Sequence, residues 1–358
     1  MKRHHGAVEA AVALRHLGEF NTIVDVRSPR EYAEDHVPGA INCPVLDDDE
    51  RAAVGTLDRQ QSTFEARRRG AALVARNIAR HLETRFAQMP REWQPLIYCW
   101  RGGQRSAAMM HVLSLVGWRV SRLTGGYQAY RRAVLADLEA LPPRLDLRVL
   151  SGPTGSGKSR LLAQLEAAGA QVLDLEALAC HRGSVLGDLP TQPQPGQKRF
   201  ESLLWQALQR CDPARPVYVE SESRMIGTVR LPNALLARMR ESPCIRLEVP
   251  LPARVRLLRD EYAHFETSPD ALRAQLDRLV ELHGRARIAA WKELLLRDDW
   301  DALVECLLRE HYDPAYRRSL ARNFLQSQRP RVLAIGTDEP GADDAAAYAA
   351  AARSLVAA

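Results

Sequence analysis

The sequence predicts an α/β protein built from two consecutive parallel-sheet domains, and three observations carry that prediction. Short apolar runs such as Asn21-Thr-Ile-Val-Asp-Val26 and Pro216-Val-Tyr-Val-Glu220 have the character of strands buried on both faces. Longer segments between them carry apolar residues at helical spacing. Two glycine-rich turns, at residues 99–106 and 152–159, each follow such a strand and open such a helix, which is where open α/β sheets place their sites. A chain of 358 residues has room for two domains.

In chain order, residues 7–18 read as an opening helix and 21–26 as a buried strand. Arg27-Ser-Pro-Arg-Glu-Tyr32 turns into a short helix, and 36–44 returns as a strand with Cys43 as a core thiol and His36 as a turn residue. Residues 50–90 are arginine- and alanine-rich and largely helical. Their arginines form a solvated face, with tRNA contact as the sharper reading. Leu96–Tyr98 is a strand with Cys99 at its C-terminal end, followed by Trp100, Arg101, Gly102, Gly103, Gln104 and Arg105 before a helix opened by Ser106. A free thiol is only slightly ionised at neutral pH; a helix N-terminus with Arg101 and Arg105 nearby favours the thiolate and makes this loop an anion cradle around a sulfur.

Leu141-Pro-Pro-Arg144 reads as a linker, giving an N-terminal domain over 1–140, a second over 146–325 with a helical C-terminal part, and an extension over 326–358. Gly152, Pro153, Thr154, Gly155, Ser156, Gly157, Lys158 and Ser159 fit Gly-x4-Gly-Lys-Ser without a gap. Glycines let successive N–H groups point into one concavity, the helix N-terminus adds partial positive charge, Lys158 adds a full charge, and Ser159 can ligate Mg²⁺. The pattern specifies a diphosphate or triphosphate, not what is attached to it. Downstream, 171–176 reads as a strand ending in Asp174 and Glu176, candidates to orient Mg²⁺ or face the site, and 177–187 as a polar loop in which Cys180 is a packed thiol and His181 and Arg182 face the site. Pro190–Gly196 reads as a mobile proline-rich loop and 198–209 as a helix. Pro216–Arg224 is a third strand whose end carries Glu220, Glu222 and Arg224; an acidic residue there is placed to orient Mg²⁺, directly or through water. Residues 244–249 are a fourth strand. Arg254, Arg256 and Arg259 then lie on a helix near the phosphate site and, with Arg67–Arg69, Arg76 and Arg80, are candidates for tRNA contact. Residues 270–325 are mostly helical, 331–336 can add a strand, and an alanine-rich helix follows.

The net charge of +6 permits a nucleic-acid partner without demanding one. No run of about eighteen apolar residues occurs, so nothing spans a membrane. The six cysteines are scattered without a Cys-x2-Cys pair, which argues against zinc and disulfides and for the reducing cytoplasm.

Asp25-Val-Arg-Ser-Pro-Arg-Glu-Tyr32, His36-Val-Pro-Gly-Ala-Ile-Asn42, the Cys99 loop and Leu123-Thr-Gly-Gly-Tyr-Gln-Ala-Tyr130 resemble, in order, a rhodanese domain over residues 5–140. With the P-loop, Asp174–Ser184, Gly196–Ser202, Glu220–Gly227 and His311-Tyr-Asp-Pro314, the chain to about residue 320 resembles the bacterial tRNA 2-selenouridine synthase family. The resemblance implies a rhodanese-like domain followed by a P-loop NTPase-like α/β domain. It also implies that wobble 2-thiouridine becomes 2-selenouridine through an S-geranyl intermediate, using geranyl diphosphate and selenophosphate, with tRNA as partner and room for a selenophosphate-supplying enzyme as a second. Cys99 would accept selenium as a selenosulfide or position the donor. Three rivals stand: an ATP-dependent tRNA sulfurtransferase, a thiosulfate sulfurtransferase with a regulatory nucleotide domain, and a non-enzymatic RNA-binding module.

Overall fold

The computed structural model describes residues 6–184, 187, 192–323, 330–336 and 344–357. The chain divides into two compact units, Met1–Asp137 with Glu201–Gln206, and Leu138–Phe200 with Ala207–Ala358.

In the first unit, β1 (Gly6–Val8), β2 (Thr22–Asp25), β3 (Ala40–Asn42), β4 (Pro95–Tyr98) and β5 (Ser121–Leu123) form a parallel sheet in the order β1-β5-β4-β2-β3. The expected opening helix over 7–18 is corrected: Gly6–Val8 pairs with Ser121–Leu123, and the helix runs only over Ala10–Arg15. Pairing with a strand over a hundred residues downstream outweighed the local helix propensity of the alanines. Cys43 is fully buried, and burial pushes its thiol up to about 11. His36 is a turn residue, its ring stacked on Tyr32 at 3.8 Å. The arginine-rich stretch forms helices Asp48–Gln60 and Thr63–Glu83, with Arg67, Arg69, Arg76 and Arg80 exposed.

In the second unit, β6 (Asp146–Ser151), β7 (Gln171–Leu173), β8 (Pro216–Glu220), β11 (Cys244–Glu248) and β12 (Arg331–Ala334) form a parallel sheet ordered β12-β11-β6-β8-β7, while β9 (Met225–Ile226) and β10 (Val229–Arg230) make a small antiparallel ribbon. The strand expected over 171–176 stops at Leu173, because Asp174 turns to cap the helix Leu175–Ala179 by accepting from Ala177 N–H. The strand expected to reach Arg224 stops at Glu220. Of the loop expected to be mobile, residues 190 and 191 lie outside the described residues; Gln194 is pinned, donating to Ile226 O at 2.8 Å and accepting from Thr228 N at 2.8 Å. The helix Asp344–Val356 packs with Tyr348, Ala351, Ala352 and Leu355 into the same apolar cluster as Leu161, Leu162 and Leu165 of the P-loop helix.

Candidate functional site

Each glycine-rich loop leaves the central strand of its own sheet. In the first unit that strand is β4, and Cys99 follows it, only 3% exposed, with Sγ 3.2 Å from the Ser106 hydroxyl. The helix Gln104–Leu115 starts after Gly103, with no side chain capping it, so its N-terminus is left open to an anion. The loop is held from behind by the start of the helix Gly126–Ala140: Tyr127 N–H donates to Cys99 O at 2.8 Å and Gln128 N–H to Trp100 O at 3.0 Å. Gly126, at φ +56°, lies so close that a Cβ there would run into the Cys99 carbonyl. The Leu123–Tyr130 motif is thus the clamp of the Cys99 loop.

The basic groups around Cys99 are less free than the sequence suggests. Arg105 donates to Glu31 at 2.8 Å, so its charge is already paired, whereas Arg101 is exposed. Arg27, buried, is locked to Asp25 at 2.6 Å and lies 3.9 Å from the Tyr127 ring centre; Trp100 stacks on Tyr127. Cysteine, clamp and guanidinium therefore form one preassembled block.

In the second unit β6 runs into Gly152–Ser159, and the helix Lys158–Ala167 opens after Gly157, at φ +66°. Lys158 Nζ donates to Gly152 O at 3.2 Å, and the Ser159 hydroxyl to Glu176 Oε2 at 3.1 Å. Tyr348, from the C-terminal helix, donates to Ser156 O at 3.0 Å; a Cβ on Gly157 would strike its ring. The terminal helix is a prop under the P-loop, a role for which the sequence carries no signal.

The P-loop forms one wall of a cavity of about 470 Å³. Glu176, Arg182, Gly183 and Glu222 form another, and Glu261, Tyr262, His311, Tyr312 and Tyr316 a third. Glu220 lies fully buried beneath, its Oε1 accepting from Glu176 N–H at 2.8 Å. Burial first, and then the charges of Asp174, Glu176 and Glu222, hold its proton far above the usual carboxylate range. Burial and Glu176 push Glu222 up to about 8, partly opposed by Lys158. Glu176 is likewise raised, chiefly by burial and against the pull of Lys158. Several acids thus share one lysine.

Not every residue singled out in the sequence reaches this cavity. Asp174 is spent on its cap. His181 is not among the lining residues; its Nδ1 accepts from Gly183 N–H at 3.1 Å and braces that turn. Arg224 is exposed, 3.5 Å from Asn233 Oδ1. Arg182 does face the cavity, donating to Glu261 O at 2.6 Å with its guanidinium 4.6 Å from the Tyr262 ring centre. Arg254, a candidate for tRNA, is buried instead: it donates to Thr154 O at 2.9 Å and to Asp313 at 3.1 Å, tying P-loop to helix. Sequence reasoning missed Tyr262, Tyr312 and Tyr316. His311 and Tyr312 lay inside a recognisable motif, and the π-helical turn Leu308–Tyr312 that presents them is a common device at functional sites.

Among the described residues no three of His, Cys, Asp and Glu are arranged to ligate one metal ion. The donor set on the cavity, the Ser159 hydroxyl with the carboxyl groups of Glu176 and Glu222, suits Mg²⁺ of the substrate-bridging kind, bound through few protein oxygens. All six cysteines are unpaired, and no helix among the described residues is long and apolar enough to cross a membrane.

Residues 145–337 match the model of the tRNA 2-selenouridine synthase AAA domain, and residues 9–133 that of the rhodanese-like domain. The chain is 33% identical over 344 residues to the tRNA 2-selenouridine synthase of Bdellovibrio bacteriovorus, covering 85% of this chain and 90% of that one. It is 35% identical over 332 residues to that of Marinobacter nauticus, covering 84% and 88%.

Proposed function

The chain belongs to the tRNA 2-selenouridine synthase family, and from that membership we propose a two-step reaction divided between its two cradles. In the first step the thiocarbonyl sulfur of wobble 2-thiouridine attacks C1 of geranyl diphosphate. The S–C bond forms, the C–O bond breaks, the diphosphate leaves with the electron pair, and the N3 proton passes to water. In the second, selenium of selenophosphate attacks C2 and expels geranylthiolate, which takes up a proton; water then cleaves P–Se, giving 2-selenouridine and phosphate. Alkylation matters because a thiocarbonyl sulfur is a poor leaving group and a thioether sulfur a good one.

The observation that carries this reading is the pair of separate anion cradles, one in each unit, for a reaction that consumes two phosphate-bearing co-substrates. We assign the diphosphate to Gly152–Ser159, where Lys158 and the loop N–H groups meet the charge that grows on the leaving group. Bound Mg²⁺ would add neutralising charge there, held by Ser159 and, directly or through water, Glu176 and Glu222. We assign selenophosphate to Cys99–Arg105. Selenium in that donor is already at the selenide level and is itself the nucleophile. Forming a Cys–S–Se bond from it would leave phosphorus two electrons richer, so we read Cys99 as positioning the donor. The exposed arginines of Thr63–Glu83 are a proposed tRNA contact, and an enzyme that makes selenophosphate a proposed supplier, both in the reducing cytoplasm.

The test is to incubate thiolated tRNA with geranyl diphosphate and then selenophosphate, and to weigh the digested nucleosides. Appearance of the geranyl adduct followed by its conversion to selenouridine supports the reading. Modification that needs ATP and ignores geranyl diphosphate would replace it with the sulfurtransferase.

A further inference from the structure

We propose that an apolar slot beside the P-loop holds the isoprenoid chain of the allylic diphosphate, and that its walls set the chain length accepted. This rests on the reading above that Gly152–Ser159 holds such a diphosphate.

The slot is walled by Leu258, Phe265, Leu272, Leu303, Leu307 and Leu308, drawn from helices of the second unit that follow β11. It adjoins the phosphate cavity, with Thr154, Leu258, Tyr262 and Tyr312 lining both. A molecule with a diphosphate on the P-loop would reach the two tyrosines next; the slot beyond them has about 60 Å³ of open volume, so a ten-carbon tail has to part these leucines as it enters. Three of the polar side chains on the slot, Arg259, Glu266 and Trp300, are already engaged. Arg259 donates to Glu266 at 2.9 Å and to Asp301 at 3.1 Å, and the Trp300 indole N–H to Asp298 at 2.6 Å. A nucleobase asks for hydrogen bonds along its edge, and an unpaired edge in such surroundings is costly. A branched hydrocarbon asks only for apolar walls, and each methylene it buries is worth roughly fourfold in affinity. The main cavity, lined by carboxylates and Arg182, is suited to the charged end and not to the tail. Leu303, 1% exposed, is part of both the slot and the apolar core of this helical region, so its size bears directly on the room available.

Two measurements test this. Wild-type protein is photolabelled with a diazirine-bearing geranyl diphosphate analogue and the adducts are mapped by peptide mass. Label within 258–272 or 300–312 is expected, reduced by excess geranyl diphosphate; label confined elsewhere overturns the proposal. Leu303→Phe and Leu303→Ala are then assayed with dimethylallyl, geranyl and farnesyl diphosphates, with inorganic pyrophosphate inhibition and melting curves as controls. Narrowing should raise KM for geranyl diphosphate about tenfold or more while sparing the five-carbon donor and pyrophosphate, and widening should favour the fifteen-carbon donor. Folded variants with wild-type ratios across the three donors overturn the slot while leaving the two-step reaction standing. A wild-type protein that transfers no prenyl group from any donor removes the reading beneath it, and the slot with it.

Discussion

The two cradles share one construction and differ in how their charges are settled. Both run from the central strand of a parallel sheet through glycines to a helix N-terminus. Around Cys99 the ions are neutralised within the protein: Arg27 with Asp25, Arg105 with Glu31. Around Lys158 they are not: Glu176, Glu220 and Glu222 are buried together, each carboxyl raised. In the first cradle these pairs are made before anything binds, with Arg101 exposed on the loop, as suits a loop that has to present a donor in one orientation. In the second, burial first and the neighbouring carboxyl groups next keep protons on the acids, and added positive charge would favour their ionised forms. A cradle's glycines therefore tell that an anion binds; the charges behind it tell whether binding meets a finished site or completes one.

The comparison breaks most visibly at Lys158. If it meets charge that grows only as C–O breaks, Lys158→Ala should slow geranylation about a hundred- to thousandfold, or roughly 2.7–4 kcal/mol of barrier, in single-turnover assays with saturating tRNA. The Cys99 cradle should break through geometry instead. Gly126→Ala combines a left-handed backbone with a clash against the Cys99 carbonyl, and should lower stability by on the order of 1–3 kcal/mol from the backbone alone. Gly103→Ala has open space around it and an ordinary φ, so it should melt like the parent protein.

Charge crowding has a pH signature. Glu222 holds its proton up to about 8, against 4.5 for an unperturbed glutamate, so the folded protein binds more protons than the unfolded chain between those values. Its contribution to stability is therefore full below pH 4.5 and is lost as pH rises toward 8, by at most about 1.4 kcal/mol per pH unit. Glu222→Gln should flatten the fall of melting temperature across that window in metal-free buffer; an unchanged slope would show that the group faced by Glu176 and Lys158 is not the one titrating. The smallest effect expected is at the prop. Tyr348→Phe deletes one buried hydrogen bond to Ser156 O, worth about 1 kcal/mol. It should raise KM for the diphosphate substrate more than it lowers kcat, since it loosens the binding loop and touches no reacting group.

What the sequence made legible was what is local. Gly152–Ser159 and Cys99–Arg105 are contiguous, so residue type and order suffice to specify a cradle, and the strand–turn–helix setting followed as read. What depended on distant pairing was not legible. Ala7-Val8 could only be a strand because Arg122-Leu123 lies beside it. Arg254 looked like a candidate for tRNA contact until Asp313 was found against it, and its charge now fastens the P-loop from the protein side. Tyr262, Tyr312 and Tyr348 sit in helical stretches where an aromatic reads as core, and only packing turns the first two toward the cavity and the third under the loop. Asp174 illustrates the opposite error: an acid at a strand's end looked available, and a helix cap had taken it.

The central claim is that the two cradles serve different steps, and one paired measurement tests it most directly. Lys158→Ala and Cys99→Ser proteins are each given thiolated tRNA with geranyl diphosphate, and separately tRNA already carrying the S-geranyl group with selenophosphate. The predicted result is crossed. Lys158→Ala fails to geranylate but converts the geranylated tRNA, while Cys99→Ser geranylates near the wild-type rate and fails to install selenium. Two variants equally dead in both half-reactions, or a Cys99→Ser protein that yields selenouridine normally, would contradict the division.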